Sequence, residues 1–294
     1  MNPEHFILQD SQTLAYNEYG DPDGIPIFHT HGGPGSRVEG QTFHEIAQER
    51  GYRIISTDRP GMGESTYLKG RRFLDYPQDI LQLADHLSIE QFGVTGWSGG
   101  GAHTTVCAYA IPEQLLFNMS FAGYTSFIEM PGAEQYIKSP LDRMSVGLSK
   151  EHPRLFKLFF DLMGLSEKHI PESYFKSLLK TMGDADTEIA SAPGFKELFL
   201  TEEHEAFRQG SLGVTTDAAV HYVDWEFQLS KILFPIHIFH GTDDQLVPVD
   251  YARHLSEHVP KSTLHILEGA GHLFPFREQK QIFDTIDDAC GRGM

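Results

Sequence analysis

The feature that most constrains the fold is an alternation, along most of the chain, of short apolar runs with segments of helical periodicity. Runs rich in β-branched and aromatic residues predict strands, and the periodic segments between them predict helices. Strands that alternate with helices indicate βαβ units around a largely parallel sheet, and hence an α/β fold. The first two strands are predicted to form an antiparallel hairpin. The predicted strands are residues 6–8, 14–19, 25–29, 52–58, 92–96, 115–122, 236–240 and 263–267.

One long segment interrupts this alternation. From about residue 126 to about residue 222 the chain has no convincing strand pattern and is rich in Phe, Leu and Met. In residues 155–163 the apolar positions cover more than one helical face, so both sides are expected to contact protein or ligand. Prolines divide the segment at intervals that suit short helices, each beginning near a proline. These are Pro140, Pro153, Pro171 and Pro193.

The interruption predicts three parts of the chain. Residues 1–125 are the first part of an α/β core, residues 126–222 a helical insertion, and residues 223–294 the second part of the core. Together they predict a mostly parallel sheet of eight strands, flanked by helices and interrupted once.

The composition narrows the class of protein and its partners. Lys and Arg number 23 against 41 Asp and Glu, a net charge of −18, so the surface repels nucleic acid and anionic membranes. No apolar run reaches the roughly 18 residues needed to cross a bilayer, and the N-terminus lacks the pattern of a targeting segment. Only two cysteines occur, Cys107 and Cys290, which suits a reducing compartment. We therefore expect a cytoplasmic globular protein whose partners include neither nucleic acid nor a membrane.

A G-x-S-x-G pentapeptide, residues 96–100, stands directly after a predicted strand and directly before a helical run. This setting suits a nucleophile elbow, because glycines around a sharp turn let neighbouring backbones approach without Cβ clashes. The turn also puts Ser98 at a helix N-terminus, where backbone N–H groups and the helix dipole favour negative charge. Ser98 is therefore the candidate nucleophile.

A catalytic serine needs partners, because its hydroxyl is a poor nucleophile until a base accepts the proton and a third group holds that base. An acid and then a histidine should therefore follow downstream. Asp244 lies in a loop after the strand at residues 236–240, and His272 lies in the loop after the last predicted strand. The order Ser98, Asp244, His272 is the order expected when the serine occupies an elbow.

Three further motifs carry a family resemblance. Residues 31–35 read H-G-G-P-G, residues 58–65 read D-R-P-G-M-G-E-S, and residues 241–248 contain G-x-x-D-x-x-V-P. With the elbow, they make the chain resemble the α/β-hydrolase superfamily from the hairpin to the last helix, with a helical cap between the sixth and seventh core strands. The resemblance implies that Ser98 is the nucleophile, Asp244 the orienting acid and His272 the general base.

The same resemblance implies an oxyanion hole formed by the backbone N–H groups of Gly33 and Gly99. It implies no cofactor. A metal site built on His29, His31, His237 and His240 is the competing interpretation of the histidine-rich strand ends. It is disfavoured because H-T-H-G lacks the carboxylate and further histidines of a hydrolytic metal site, so no metal is expected.

The predicted activity is hydrolysis of a small-molecule ester or related acyl bond through an acyl-enzyme. HGGPGS is shared with proline iminopeptidases, but that subfamily typically has Trp directly after the nucleophile, whereas this chain has Gly99 there and Trp97 before it. An aminopeptidase is therefore the alternative, and it would need an acidic residue in the cap to hold the substrate amine. A binding or signalling protein of the same fold is a third possibility. Cofactorless peroxidase chemistry and C–C bond hydrolysis are also compatible with the triad. For the aminopeptidase alternative, the acids that could hold the substrate amine are Glu202, Glu203, Glu205 and Glu226.

Overall fold

The computed structural model describes residues 2–293 and builds one mixed sheet of eight strands in the order β1-β2-β4-β3-β5-β6-β7-β8. β1 and β2 form the predicted antiparallel hairpin, β2 also runs antiparallel to β4, and the remaining pairs are parallel. The predicted α/β class and mostly parallel sheet are confirmed. The strands are β1 (Glu4–Ile7), β2 (Thr13–Gly20), β3 (Ile25–Thr30), β4 (Tyr52–Thr57), β5 (Phe92–Trp97), β6 (Leu115–Phe121), β7 (Ile236–Gly241) and β8 (Ser262–Leu267).

Helices follow the alternation that the sequence predicts, and a group of them occupies the segment between β6 and β7. Outside that segment lie α1 (His44–Arg50), α2 (Asp75–His86), α3 (Gly99–Ala110), α10 (Val249–His258), α11 (Phe274–Arg277) and α12 (Gln279–Ala289). Inside it lie α4 (Pro140–Glu151), α5 (Pro153–His169), α6 (Pro171–Met182), α7 (Asp184–Ala190), α8 (Phe195–Ala206) and α9 (Leu212–Val220).

Both faces of the sheet are covered by helices. Successive strand residues point to opposite faces, and the neighbours Ile27 and Phe28 in β3 are both fully buried. Phe28 packs in the cluster that contains residues of α2, α3 and α10, while Ile27 packs in the cluster that contains residues of α1 and α12. The uninterrupted apolar runs of the central strands follow from this two-sided burial.

Prolines set the starts of the helices in the insertion, as the sequence predicts. Pro140, Pro153 and Pro171 are the first residues of α4, α5 and α6, where the missing N–H costs nothing because it would have no intrahelical partner. Pro193 stands two residues before α8 begins at Phe195.

Helix α5 corrects one expectation. Its apolar residues were expected to contact protein or ligand on both sides, but Leu155, Leu158 and Leu162 are each about half exposed. Phe156 and Phe160 on the other side are buried. One face of the helix is therefore buried and the other is exposed to solvent, although apolar residues occupy both faces.

The strand order indicates where the sheet can bind a ligand. The connection that leaves β3 runs to β4 on one side, and the connection that leaves the neighbouring strand β5 runs to β6 on the other side. Open α/β sheets bind ligands at such a point, where the chain connections switch direction.

No helix within residues 2–293 has the length and apolar composition required to span a bilayer.

Candidate active site

Ser98 occupies a single-residue turn between β5, which ends at Trp97, and α3, which begins at Gly99. Its backbone has φ 55° and ψ −120°, a conformation that costs energy for a residue with a side chain. The turn is tight enough to require glycine nearby, because a Cβ at Gly100 would lie 2.0 Å from the carbonyl oxygen of Thr30. The elbow predicted from the sequence is thus present, with Ser98 at the N-terminus of α3.

Asp244 and His272 meet across the ends of β7 and β8. Oδ2 of Asp244 accepts a hydrogen bond of 2.7 Å from Nδ1 of His272. The other carboxylate oxygen, Oδ1, accepts the backbone N–H groups of Leu246 and Val247 at 2.8 and 2.9 Å. Asp244 is thereby fixed by its own loop and in turn fixes the tautomer and orientation of the imidazole.

The electrostatics of this pair favour an ion pair over two neutral groups. Burial alone would raise the pKa of Asp244, but His272 and His240 lower it below the ordinary range of a carboxyl group. Burial alone would lower the pKa of His272, but Asp244, and to a smaller extent Asp186 and Glu39, raise that pKa above its ordinary value. A more basic imidazole is a better acceptor for a hydroxyl proton.

Ser98 and His272 open on one cavity of about 190 Å³, at the switch point of the sheet. Among residues 2–293, no hydrogen bond joins the Ser98 hydroxyl to the His272 ring in this conformation; such contacts are often long before a substrate binds. The cavity is mainly apolar, and most of that surface comes from the helical insertion. Its apolar lining includes Phe159, Phe160, Met163, Leu178, Met182 and Phe199.

The two glycines predicted for an oxyanion hole, Gly33 and Gly99, both line this cavity. In the peptide unit that contains each of these N–H groups, the carbonyl oxygen accepts a hydrogen bond on the opposite side of the peptide. Ser98 O accepts the N–H of Gly101 at 3.0 Å, and Gly32 O accepts Nη2 of Arg59 at 2.7 Å. Because the N–H and C=O of a trans peptide point in opposite directions, these bonds fix the directions of the Gly99 and Gly33 amides.

One of the four candidate acids for amine binding lines the cavity. Glu203 is buried there, and Oε2 of its carboxyl group accepts a hydrogen bond of 3.0 Å from the Tyr174 hydroxyl. Burial raises the pKa of Glu203 to about 8, above the ordinary range of a carboxyl group.

The other three acids contact other parts of the chain. Glu205 forms an ion pair of 2.9 Å with Arg37. Glu226 lies at the surface, 3.3 Å from Arg72. Glu202 is buried against the loop at residues 31–35, where a Cβ at Gly35 would lie 2.7 Å from its Oε1.

The histidines that suggested a metal site are engaged separately. His29 contacts Glu39 at 2.7 Å, and His237, three strands away in β7, contacts His265 at 3.0 Å. His240 contacts the carbonyl of Val247 at 2.9 Å. In the part of the chain that the structure describes, no three His, Cys, Asp or Glu side chains are arranged to hold a metal ion.

The sequence did not single out two buried aspartates beside the site. Asp186 in α7 accepts the backbone N–H of His272 at 2.8 Å, and Asp217 in α9 forms an ion pair of 2.7 Å with Arg59. Both stand in the helical insertion, 86 residues from His272 and 158 residues from Arg59 along the chain. No local pattern distinguishes them from the other acids of this strongly acidic chain.

Comparison with known proteins agrees with the fold and with the motifs. Residues 27–285 match the model of the family described as "Alpha/beta hydrolase family". The chain belongs to the α/β-hydrolase family, and the resemblance inferred from the motifs is confirmed.

Individual relatives within the family are distant. Proline iminopeptidase of Xylella fastidiosa (strain 9a5c) is 27% identical over 297 residues, covering 92% of this chain and 90% of the relative. The bifunctional esterase/perhydrolase DCH of Acinetobacter calcoaceticus is 24% identical over 294 residues, covering 95% and 96%. The crystal structure of the enol-lactonase from Burkholderia xenovorans LB400 matches with a TM-score of 0.69 at 15% identity, covering 98% of this chain and 100% of that one. The structural match shows the fold alone.

Proposed function

We propose that the protein is a serine hydrolase that cleaves a small-molecule ester or related acyl bond through an acyl-enzyme. The observation that carries this proposal is the hydrogen bond of 2.7 Å between Asp244 and His272, with the His272 ring opening on the cavity that Ser98 also lines. The similarity of the chain to the bifunctional esterase/perhydrolase DCH is consistent with it.

In the first half of the reaction, Nε2 of His272 takes the hydroxyl proton of Ser98 while Oγ forms a bond to the substrate carbonyl carbon. The carbonyl π electrons move to oxygen, and the amides of Gly33 and Gly99 donate hydrogen bonds to this oxyanion. When the C–O π bond re-forms, the bond to the leaving alcohol breaks. The alcohol oxygen then takes the proton from His272.

In the second half, His272 takes a proton from water, and the hydroxide adds to the acyl carbon. The tetrahedral intermediate collapses, the bond to Ser98 Oγ breaks, and His272 returns the proton to that oxygen. The carboxylate of Asp244 stays ionised throughout and stabilises the imidazolium that forms in each half.

We assign residues 126–222 as a cap over this site. Residues 126–222 supply most of the apolar residues that line the cavity, while the proposed triad comes from the core. An apolar cavity of about 190 Å³ suits a small acyl group, since an engineered cavity of roughly 150 Å³ holds benzene.

The proposal is tested with p-nitrophenyl butyrate under single- and multiple-turnover conditions. We expect a burst of nitrophenol equal to the enzyme concentration, followed by steady turnover, and neither in Ser98→Ala. A chain that binds the ester without releasing nitrophenol would instead be a binding or signalling protein of the same fold.

Glu203 favours an aminopeptidase as the second candidate. A buried carboxyl group with a pKa of about 8 would ionise when a substrate ammonium binds beside it. One of the relatives is a proline iminopeptidase. Under this alternative Glu203→Gln abolishes cleavage of a prolyl arylamide and spares p-nitrophenyl butyrate. A wild-type preference for the arylamide of roughly a hundredfold or more would replace the esterase assignment.

A further inference from the structure

Two aspartates of the helical insertion hold the core loops that carry the proposed catalytic groups. We name residues 31–35 the oxyanion loop and residues 268–273 the histidine loop. We propose that Asp186 and Asp217 are positioning residues, so that the active site is complete only while the insertion is docked on the core. This inference rests on the proposed function.

Asp186 organises the histidine loop through its backbone. Oδ2 accepts the N–H of His272 at 2.8 Å, and Oδ1 accepts the N–H of Leu273 at 2.7 Å. These amides lie immediately before α11, which begins at Phe274. The loop is shaped around this carboxylate, because a Cβ at Gly271 would lie 2.3 Å from its Oδ1.

His272 is consequently held by two carboxylates from different parts of the fold. Asp244 of the core holds the ring, and Asp186 of the insertion holds the backbone. The ring therefore cannot be oriented by Asp244 alone: if the backbone of His272 shifts, Nε2 shifts with respect to Ser98. Displacements of about 1 Å in a reacting group are enough to cost roughly a hundredfold in rate.

Asp217 acts on the oxyanion loop through Arg59. Its carboxylate makes a bidentate pair with the guanidinium, with Nε to Oδ1 at 2.8 Å and Nη2 to Oδ2 at 2.7 Å. The same guanidinium donates Nη1 to His31 O and Nη2 to Gly32 O. Arg59 is fully buried, so its position is set by these partners and not by solvent.

The bond from Arg59 to Gly32 O bears directly on the proposed oxyanion hole. Gly32 O and Gly33 N–H belong to one planar peptide, so a donor on the carbonyl side sets the direction of the amide on the cavity side. The preceding peptide is fixed as well, because Gly32 N–H donates to Oε2 of Glu39 at 2.8 Å. Of these contacts, only the anchor at Asp217 comes from the insertion.

The carboxylate of Asp217 remains charged in this buried position. Burial alone would raise its pKa, but Arg59 and Arg71 hold it well below the ordinary range of a carboxyl group. Arg71 donates Nη1 to Oδ1 of Asp217 at 2.7 Å. A neutral residue at this position would leave two buried guanidinium groups without their shared anion.

A purely structural role for the aspartates predicts different data from a positioning role. If they only fasten the insertion, their removal lowers the melting temperature while the folded fraction keeps its kcat. If they position the loops, kcat falls and KM changes little, because the lost interactions matter most in the transition state.

For Asp217 the experiment compares Asp217→Asn with Asp224→Asn, a change of an exposed aspartate just after α9. We expect Asp217→Asn to lower kcat for p-nitrophenyl butyrate by about 100-fold, the loss typical of one oxyanion donor. A trifluoromethyl ketone forms an oxyanion with Ser98, and its affinity should fall by a similar factor. The matching methyl ketone, which binds mainly without adding to serine, should bind as before.

For Asp186 the comparison is Asp186→Asn with Asp184→Asn, a change of an exposed aspartate on the same helix. The charged groups that raise the pKa of His272 are Asp244, Asp186 and Glu39. Removing the charge of Asp186 lowers that pKa, so the acid limb of kcat/KM should move to lower pH. The control should leave the limb in place. Because loss of a nearby charge moves the limb without any change in position, the plateau kcat of the folded Asp186→Asn protein is measured as well, and it should fall only if Asp186 positions the histidine loop.

Leu83→Ala, a core change in α2, provides a destabilised reference in which kcat should be retained. If Asp217→Asn does not fold, Asp217→Glu replaces it, since it keeps the charge but displaces Arg59. Folded aspartate variants with wild-type kcat, inhibitor affinity and pH profile would overturn the proposal. An inactive wild-type chain would instead overturn the proposed function, and this inference with it.

Discussion

Nδ1 of His272 lies 2.7 Å from Oδ2 of Asp244, while the neighbouring carboxylate of Asp243 is exposed at the surface. Asp244→Asn replaces the acceptor by an amide that cannot hold the required tautomer. We expect kcat to fall by roughly 10⁴-fold, as when the acid of a serine triad is made neutral. Asp243→Asn is the matched control and should change kcat by less than about threefold. Similar losses in both variants would remove Asp244 from the proposed triad.

Ser98 should be the site of covalent labelling by a fluorophosphonate. The strained turn and the N-terminus of α3 present its hydroxyl to the cavity. Ser98→Ala should abolish both labelling and ester turnover, whereas Ser145→Ala, another cavity-lining serine, should retain both. Mass spectrometry of the labelled peptide identifies the residue. Labelling that persists in Ser98→Ala would contradict the assignment.

The pH dependence follows from the raised pKa of His272. The imidazole accepts the serine proton only when neutral, so kcat/KM should fall as pH drops through its pKa. Because that pKa lies above the ordinary value of about 6.5, the acid limb should lie above pH 6.5 in the free enzyme. In Asp244→Asn the residual activity should show this limb at lower pH. A flat profile between pH 5 and 8, with chemistry rate-limiting, would exclude a histidine base.

The sheet and the elbow could be predicted from the sequence because their causes are local. A strand buried on both faces must be apolar throughout, and a serine in a sharp turn must have glycines beside it. The helix starts at Pro140, Pro153 and Pro171 follow from the same kind of local constraint. Each of these signals lies within a few residues of the feature that it predicts.

The anchoring aspartates could not be predicted, because their role depends on contacts made after the chain has folded. Asp186 accepts a hydrogen bond from the backbone of His272, and Asp217 pairs with Arg59, only once the insertion packs on the core. The half-exposed leucines of α5 show the same limit. Periodicity gives the apolar positions of a helix but not which face meets solvent.

The cavity wall formed by α5 should set the preferred length of the acyl chain. Met163 lines the cavity, while the adjacent Leu162 is 57% exposed on the solvent face of the helix. In the wild type we expect kcat/KM for p-nitrophenyl esters to rise with each added methylene until the cavity is full. The rise should be about fourfold per methylene, since burying one contributes about 0.8 kcal/mol.

Met163→Ala removes side-chain volume from that wall and should move the optimum to longer acyl chains. Leu162→Ala is the control, since it shortens the solvent face of the same helix and should leave the optimum unchanged. The measurement is kcat/KM for a series of p-nitrophenyl esters from acetate to decanoate with all three proteins. If Met163→Ala and Leu162→Ala shift the optimum equally, or neither shifts it, the acyl chain does not bind against α5. The acyl group would then have to occupy another part of the cavity.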